Sequence, residues 1–277
     1  MIYPRKWSIR RPGFLIPVFF LSCLQAYGQN HWLDAGSAGL GACFVTRSGQ
    51  ASVGLNQAGL GRREKNAVSL HHIRPFITSD LDIASLSAQL ALKQGGAGLS
   101  LSTMGISGMR QTSAWISYGL MLHPRLFAGA GIHLGNTSLA KEANYQMEAG
   151  FALGLQFSIS DELILGAHLS NPAVWSSNSG TISGSSMMIS SGISYLFYET
   201  ARYYTEFHVR YNRPVQWCNG FEIKIKERLQ LLLGLKNQPW CLSAGISLNY
   251  QKVGICLSGT YCMDTGCTPY TSLSYEW

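Results

Sequence analysis

Apolar and polar residues alternate along much of this chain, and the alternation restricts its fold more than any other feature. Between Tyr145 and Ile159 every odd position is apolar, whereas glycine, alanine and polar residues fill the even positions. A β-strand places alternate side chains on opposite faces, whereas helical spacing would scatter both sets around a cylinder. The same split recurs at 126–134, 202–211, 221–226, 242–249 and 271–277. The pattern therefore predicts an all-β protein.

Fourteen strands are predicted between residue 67 and the end of the chain. They are expected to begin near residues 67, 82, 95, 111, 125, 145, 162, 186, 202, 217, 229, 239, 251 and 269. A strand of about 9–11 residues crosses a bilayer at a tilt, and the predicted strands are roughly that long. Alternate connections are short, as at 93–95 and 160–162, whereas the others are mostly longer, the longest being 171–185. This rhythm is typical of a transmembrane barrel with both termini in the periplasm.

The first 28 residues are predicted to be a secretory signal peptide and to lie outside the fold. Four basic residues open the chain, an apolar run follows at 14–24, and the small residues Ala26 and Gly28 provide a cleavage site. The net charge of the whole chain is +7, and the removal of four basic residues and no acidic ones lowers it to +3. The basic balance therefore gives little reason to expect a nucleic-acid partner.

The polar face of the predicted strands distinguishes a membrane barrel from a soluble one. A soluble sandwich or lipocalin-like barrel also alternates, but it needs bulky apolar side chains inside. Here the face opposite the apolar one holds glycine, serine, histidine, glutamate, lysine and glutamine, and only 13% of the chain is charged. In lipid a closed barrel satisfies every backbone amide. The sequence therefore favours a transmembrane antiparallel β-barrel with a wet or plugged lumen.

Residues 29–66 precede the first predicted strand and carry a recognisable pattern. A glycine-rich run at 35–45 is followed about 15 residues later by Asn-Gln-Ala-Gly-Leu at 56–60. This pattern resembles the N-terminal signature of the FadL-like outer-membrane proteins, particularly the PorV/PorQ branch of the Bacteroidetes, with Gln57 in place of a proline. The resemblance implies a plug or hatch at 29–66 inside a 14-stranded barrel at 67–277. The motif residues of this plug would be Gly39, Gly41, Asn56, Ala58, Gly59 and Leu60.

The resemblance implies two different functions. PorV-type proteins are non-enzymatic partners or scaffolds in type IX protein secretion, whereas FadL-type proteins pass hydrophobic small molecules across the outer membrane. The predicted outer loops are brief, and only the Ala-Val-Trp trio at 173–175 hints at a capture groove. The first function is therefore the principal expectation and the second its alternative. The expected partners are outer-membrane lipid, type IX components or exported proteins, and a hydrophobic ligand.

Charged and histidine side chains of lumen-facing parity are predicted to form a polar network that holds the plug, with a selectivity lining as the alternative. The members are His133, Glu148, His168, Glu206, His208, Arg210 and Lys224. They form no catalytic constellation, because the chain contains no Gly-x-Ser-x-Gly elbow and pairs no nucleophile with a base. The sequence also lacks the paired Cys-x-x-Cys spacing of a zinc site. We therefore expect neither an enzyme nor a cofactor.

Two features near the end of the chain complete the predictions. Cys262 and Cys267 flank the last outer loop and could close it as a disulfide, although cysteines in this chain could equally be small apolar residues of a barrel wall. Tyr275 and Trp277 lie on the apolar face of the last strand. They are predicted to be the signal read by the barrel-insertion machinery, with an interface aromatic pair as the alternative.

Overall fold

A computed structural model describes residues 33–62, 65–78, 81–106, 108–139, 145–177, 182–183 and 187–277. The predicted signal peptide and residues 29–32 lie outside the described residues. Fourteen antiparallel strands form the fold, each beginning within three residues of its predicted start. They are β1 (Ala67–Ile73), β2 (Ile83–Leu92), β3 (Gly95–Ile106), β4 (Met109–His123), β5 (Leu126–Leu139), β6 (Tyr145–Ser158), β7 (Leu163–Ser176), β8 (Met188–Phe197), β9 (Ala201–Arg210), β10 (Gln216–Lys226), β11 (Leu229–Lys236), β12 (Cys241–Tyr250), β13 (Val253–Cys262) and β14 (Gly266–Glu276).

The strands close into a barrel because each pairs with its neighbours in sequence and the first pairs with the last. β1 runs antiparallel to β14, with Ala67 opposite Glu276. Tight turns such as 93–94, 124–125 and 227–228 lie at the end of the barrel where β1 begins and β14 ends. We call this the turn end and the opposite one the loop end. The predicted all-β class and the count of 14 strands are confirmed.

The two faces of the wall differ as the alternation predicts. Large apolar side chains such as Ile132, Leu153 and Phe207 are exposed on the outside. Inner positions are buried and often small or polar, as at Ser117, Gln156 and Ser190. An apolar exterior around a polar interior is the arrangement of a barrel whose solvent is lipid.

The predicted outer loop at 171–185 begins later than expected, because β7 continues to Ser176. The strand bulges between Ser170 and Val174 and then pairs again with β6, with Val174 opposite Gly150. Asn171 has a φ of 47°, a conformation that asparagine adopts more readily than most residues. Pro172 lies in the bulge, where proline is tolerated because no ladder hydrogen bond is required of it. A two-residue strand, Ile182–Ser183, pairs with this extension.

The segment at 33–62, which we call the lumen segment, is folded and almost entirely buried. It contains one short helix, α1 (Ala35–Gly39), and two 3₁₀ helices, Gly49–Ser52 and Gln57–Arg62. Its helices contact both halves of the wall, since α1 lies against β11–β14 and Gln57–Arg62 lies against β3–β6. A third 3₁₀ helix, Pro75–Ile77, follows β1 at the loop end. No helix in the described ranges has the length and apolar character needed to cross a membrane.

Candidate functional site

Asp34 starts the lumen segment as the N-cap of α1. Its carboxylate accepts hydrogen bonds from the backbone N–H groups of Gly36 (3.0 Å) and Ser37 (3.3 Å), as an N-cap side chain does. Arg47 forms an ion pair with it, Nη1 to Oδ2 at 3.1 Å, and also donates to Ser37 Oγ at 2.7 Å. Burial raises the pKa of Asp34, but the Arg47 charge and the Ser37 hydrogen bonds outweigh it and lower the pKa overall. The ion pair therefore joins the start of the lumen segment to its middle.

Two hydrogen bonds join α1 to the wall. The backbone N–H of Ala35 donates to Ser272 Oγ at 3.0 Å, and Ser258 Oγ donates to the Ala35 carbonyl at 2.6 Å. Both serines belong to the inner face, on β14 and β13. The small inner-face residues predicted from the alternation therefore serve as hydrogen-bonding partners of the lumen segment.

Gly39 and Gly41 lie where α1 ends and the segment approaches the wall. Gly41 has a φ of +67°, and a side chain there would also meet backbone atoms of Asn219 and Leu235. Leu40, between them, is fully buried and packs on β10 and β11 in a cluster completed by Cys43, Tyr204, Cys218 and Leu232. The glycines thus allow the backbone to lie directly against the wall.

The Asn56 motif is buried against β5 and β6. Asn56 Nδ2 donates to the Val45 carbonyl at 2.6 Å, and its Oδ1 accepts from the backbone N–H of Ala58 at 3.2 Å. Gly154 of β6 faces this amide so closely that a Cβ atom there would collide with Asn56 Oδ1. The remaining motif residues, Ala58, Gly59 and Leu60, are all buried in the 3₁₀ helix that follows.

Three predicted network residues meet at the turn 43–46 of the lumen segment. Glu206 is fully buried, and its two oxygens accept separately from the backbone N–H groups of Phe44 (2.9 Å) and Val45 (2.8 Å). His208 lies 3.5 Å from Glu206, Nε2 to Oε2, and stacks on Phe44 with ring centroids 5.1 Å apart. His168 meets the same phenyl ring edge-on. The side chains of Glu206, His208 and His168 therefore all contact the turn 43–46.

The other four predicted residues lie elsewhere in the barrel. His133 packs on Trp115, with ring centroids 4.9 Å apart. Glu148 accepts from Gln146 Nε2 at 3.4 Å, and Arg210 donates to Gln216 Oε1 at 3.4 Å, both towards the loop end. Lys224 lies at the turn end and lines a cavity there. The predicted residues thus form several local groups.

Gln156 makes contacts that the sequence did not predict. Its Nε2 donates to the carbonyls of Val45 (2.9 Å) and Arg47 (2.8 Å), while its Oε1 accepts from Arg62 Nε at 2.9 Å. One side chain of β6 therefore joins the middle of the lumen segment to its last residue. Its lumen-facing parity was visible in the alternation, but the same parity holds for Gln146, which does not touch the segment in any described contact.

A partly open cavity of about 590 Å³ lies between the lumen segment and the wall at the turn end. Asp161 and Thr200 line it at the turns between strands, and four residues of the lumen segment also line it. The cavity is lined by Thr46, Arg47, Ser48, Arg62, Asp161, Ile164, Leu196, Thr200, Arg202, Tyr204, Glu222, Lys224 and Gln230.

A second group inside the barrel is apolar. Phe44, Val45 and Leu55 of the lumen segment pack on Met188, the first residue of β8, and Leu33 adds to them. Met188 begins β8 at the loop end, so this apolar cluster lies on the opposite side of the segment from the polar cavity. Within the described ranges no group of three or more His, Cys, Asp or Glu residues could hold a metal ion.

The predicted disulfide between Cys262 and Cys267 is wrong. Cys262 is bonded to Cys241, its direct partner across β12 and β13, and Cys267 is a free thiol. In the β13–β14 hairpin Cys262 lies opposite Gly266, whereas Cys267 lies opposite Tyr261. The two cysteines therefore point to opposite faces, and closeness in sequence does not bring their sulfur atoms together.

The terminal aromatic residues lie on the outside of the barrel. Tyr275 and Trp277 are about half exposed, and their rings stack with centroids 6.1 Å apart. The backbone N–H of Trp277 donates to the Asn66 carbonyl at 3.0 Å, which extends the β1–β14 pairing. Both the insertion signal and the interface pair are compatible with this position, and the choice stays a prediction.

Solved structures with the same fold include three channel proteins. The toluene transporter TbuX of Ralstonia pickettii superimposes with a TM-score of 0.67 at 10% identity, covering 89% of this chain and 99% of its own. The toluene transporter TodX of P. putida gives 0.68 at 12%, with the same coverage. The monoaromatic hydrocarbon channel CymD gives 0.64 at 12%, covering 88% and 97%. No family model and no curated protein matches the sequence. The likeness shows that this chain shares the barrel fold of these proteins.

Proposed function

We propose that this chain is a non-enzymatic outer-membrane channel that passes hydrophobic small molecules. The observation that carries the proposal is the filled lumen with an apolar cluster of Phe44, Val45, Leu55 and Met188 inside it. A water-filled porin offers polar solutes an open, polar lumen, whereas apolar side chains in the path suit a ligand that leaves water readily.

Three further observations support the proposal. The exterior is apolar along every predicted membrane strand, which suits residence in a bilayer. The fold is shared, over nearly the whole length of both chains, with proteins described as toluene transporters and a monoaromatic hydrocarbon channel. In the described residues no disulfide ties the lumen segment to the wall, and the contacts given above are hydrogen bonds and small apolar clusters, which suits a segment that must shift to let a ligand pass.

Uptake into whole cells tests this function. Cells with an outer membrane that express the chain should take up radiolabelled toluene several-fold faster than cells with an empty vector. The variant Met188→Gln should lower this rate because it places an amide in the apolar cluster. The matched control Met263→Gln, at an exposed loop position, should leave it unchanged. Uptake at the vector rate, with wild-type protein folded in the outer membrane, would contradict the proposal.

The PorV/PorQ resemblance implies a role in type IX secretion, which stays a prediction and is now the alternative function. It expects the barrel to co-purify with large outer-membrane secretion proteins. Isolation of the barrel alone in mild detergent would count against it. The likeness to hydrocarbon channels makes passage of small molecules the stronger proposal.

A further inference from the structure

We propose that the cavity at the turn end is a binding site for a small anion that carries a carboxylate or phosphate group. This goes beyond the proposed function, because the polar lining is unsuited to a neutral hydrocarbon and is separated from the apolar cluster by the lumen segment. A volume of about 590 Å³ is within the range of small-molecule sites.

The lining carries more positive than negative groups. Its cations are Arg47, Arg62, Arg202 and Lys224, and its anions are Asp161 and Glu222. Asp34, just outside the lining, neutralises Arg47 through the 3.1 Å ion pair. Counted over these residues, cations outnumber anions by four to three.

Arg202 and Lys224 are the groups best placed to hold the ligand. Arg202 makes one long hydrogen bond, to Ser194 Oγ at 3.4 Å, and neither residue forms an ion pair with any part of the chain that the structure describes. Glu222 is the direct cross-strand partner of Arg202, but Tyr204 Oη already donates to its carboxylate at 2.8 Å. The two cations therefore offer unused donors to an incoming anion.

Arg62 gives the site a fixed component. Its Nε and Nη2 donate to Gln156 Oε1 (2.9 Å) and Ser158 Oγ (3.1 Å), and its guanidinium lies 4.6 Å from the centroid of the Phe127 ring. These contacts orient the guanidinium. A cation that is held in place before binding loses little side-chain entropy when the anion arrives.

Calorimetric titration of the purified full-length protein in a neutral detergent tests the site. The probes are inorganic phosphate, benzoate and, as the uncharged counterpart of benzoate, benzyl alcohol. We expect phosphate, benzoate or both to bind and benzyl alcohol not to bind. Binding of phosphate alone would identify a phosphate site, and binding of benzoate alone a carboxylate site that needs an attached ring.

Charge variants make the test specific. The double variant R202Q/K224Q should weaken anion binding at least about tenfold, since each lost charged hydrogen bond is worth roughly a factor of ten. The control R213Q/K252Q removes the same charge from exposed positions outside the lining and should leave the affinity unchanged. Glu222→Gln should strengthen binding, because it removes a competing carboxylate. Absence of binding by either anion, or equal loss in the double variant and its control, would overturn the proposal.

Discussion

Glu206 is the residue on which the contact between wall and lumen segment depends most. It is fully buried and uses both carboxylate oxygens on adjacent backbone N–H groups, those of Phe44 and Val45. A buried backbone N–H left without a partner is costly, and Glu206 satisfies two of them. Few side chains other than glutamate could satisfy both groups from this distance.

Substitution Glu206→Gln should therefore destabilise the protein. The amide keeps one acceptor oxygen but turns an N–H₂ group toward the second backbone donor. We expect the free energy of unfolding in urea to fall by about 2–3 kcal/mol. The control Glu227→Gln, in an exposed turn, should change it by no more than about 0.5 kcal/mol. Equal stabilities of the two variants would show that the Glu206 contacts contribute nothing.

At the scale of elements, β6 is the strand that fits the Asn56 motif. Gly154 leaves the space that Asn56 occupies, and Gln156 on the same face bonds the segment on both sides of the motif. The spacing of two places both residues on the inner face of the strand. This strand therefore has two roles, since its odd positions face the outside and two of its even positions, 154 and 156, contact the segment.

A methyl group added at position 154 tests how closely Asn56 packs against β6. Gly154→Ala places a Cβ against Asn56 Oδ1, so we expect a loss of about 1–3 kcal/mol, the cost of overpacking. Gly259→Ala in β13 is the matched control, because no atom lies within 4 Å of the added Cβ. Limited proteolysis should also cut the segment 33–62 faster in the first variant only. Identical proteolysis and stability in both variants would mean that Asn56 does not lie against β6.

The sequence predicted the exterior of the barrel better than its interior. Alternation determines the outer face and the strand count, because lipid accepts only apolar side chains there and every second residue must comply. Contact between an inner residue and the segment depends instead on the position of that residue along the barrel axis. Gln146 and Gln156 have the same parity, so alternation does not distinguish them. The disulfide failed for a related reason, since the pairing of Cys241 with Cys262 follows from the register of β12 and β13.

Considered as a whole molecule, the barrel holds unlike groups on the two sides of the lumen segment. An apolar cluster that includes Phe44 and Met188 lies towards the loop end, and a cationic cavity lined by Arg202 and Lys224 lies at the turn end. An open pore would join them and fill with water. Both the proposed channel and the proposed anion site therefore require that the lumen is filled.

Conductance in a planar bilayer tests that claim most directly. The intact protein should insert without producing the steady ion current of an open pore, because residues 33–62 contact both halves of the wall. A variant that lacks residues 33–62 should conduct, since its inner face is lined by small and polar side chains. A steady, porin-like current through the intact protein, unchanged by the deletion, would show that the lumen is open.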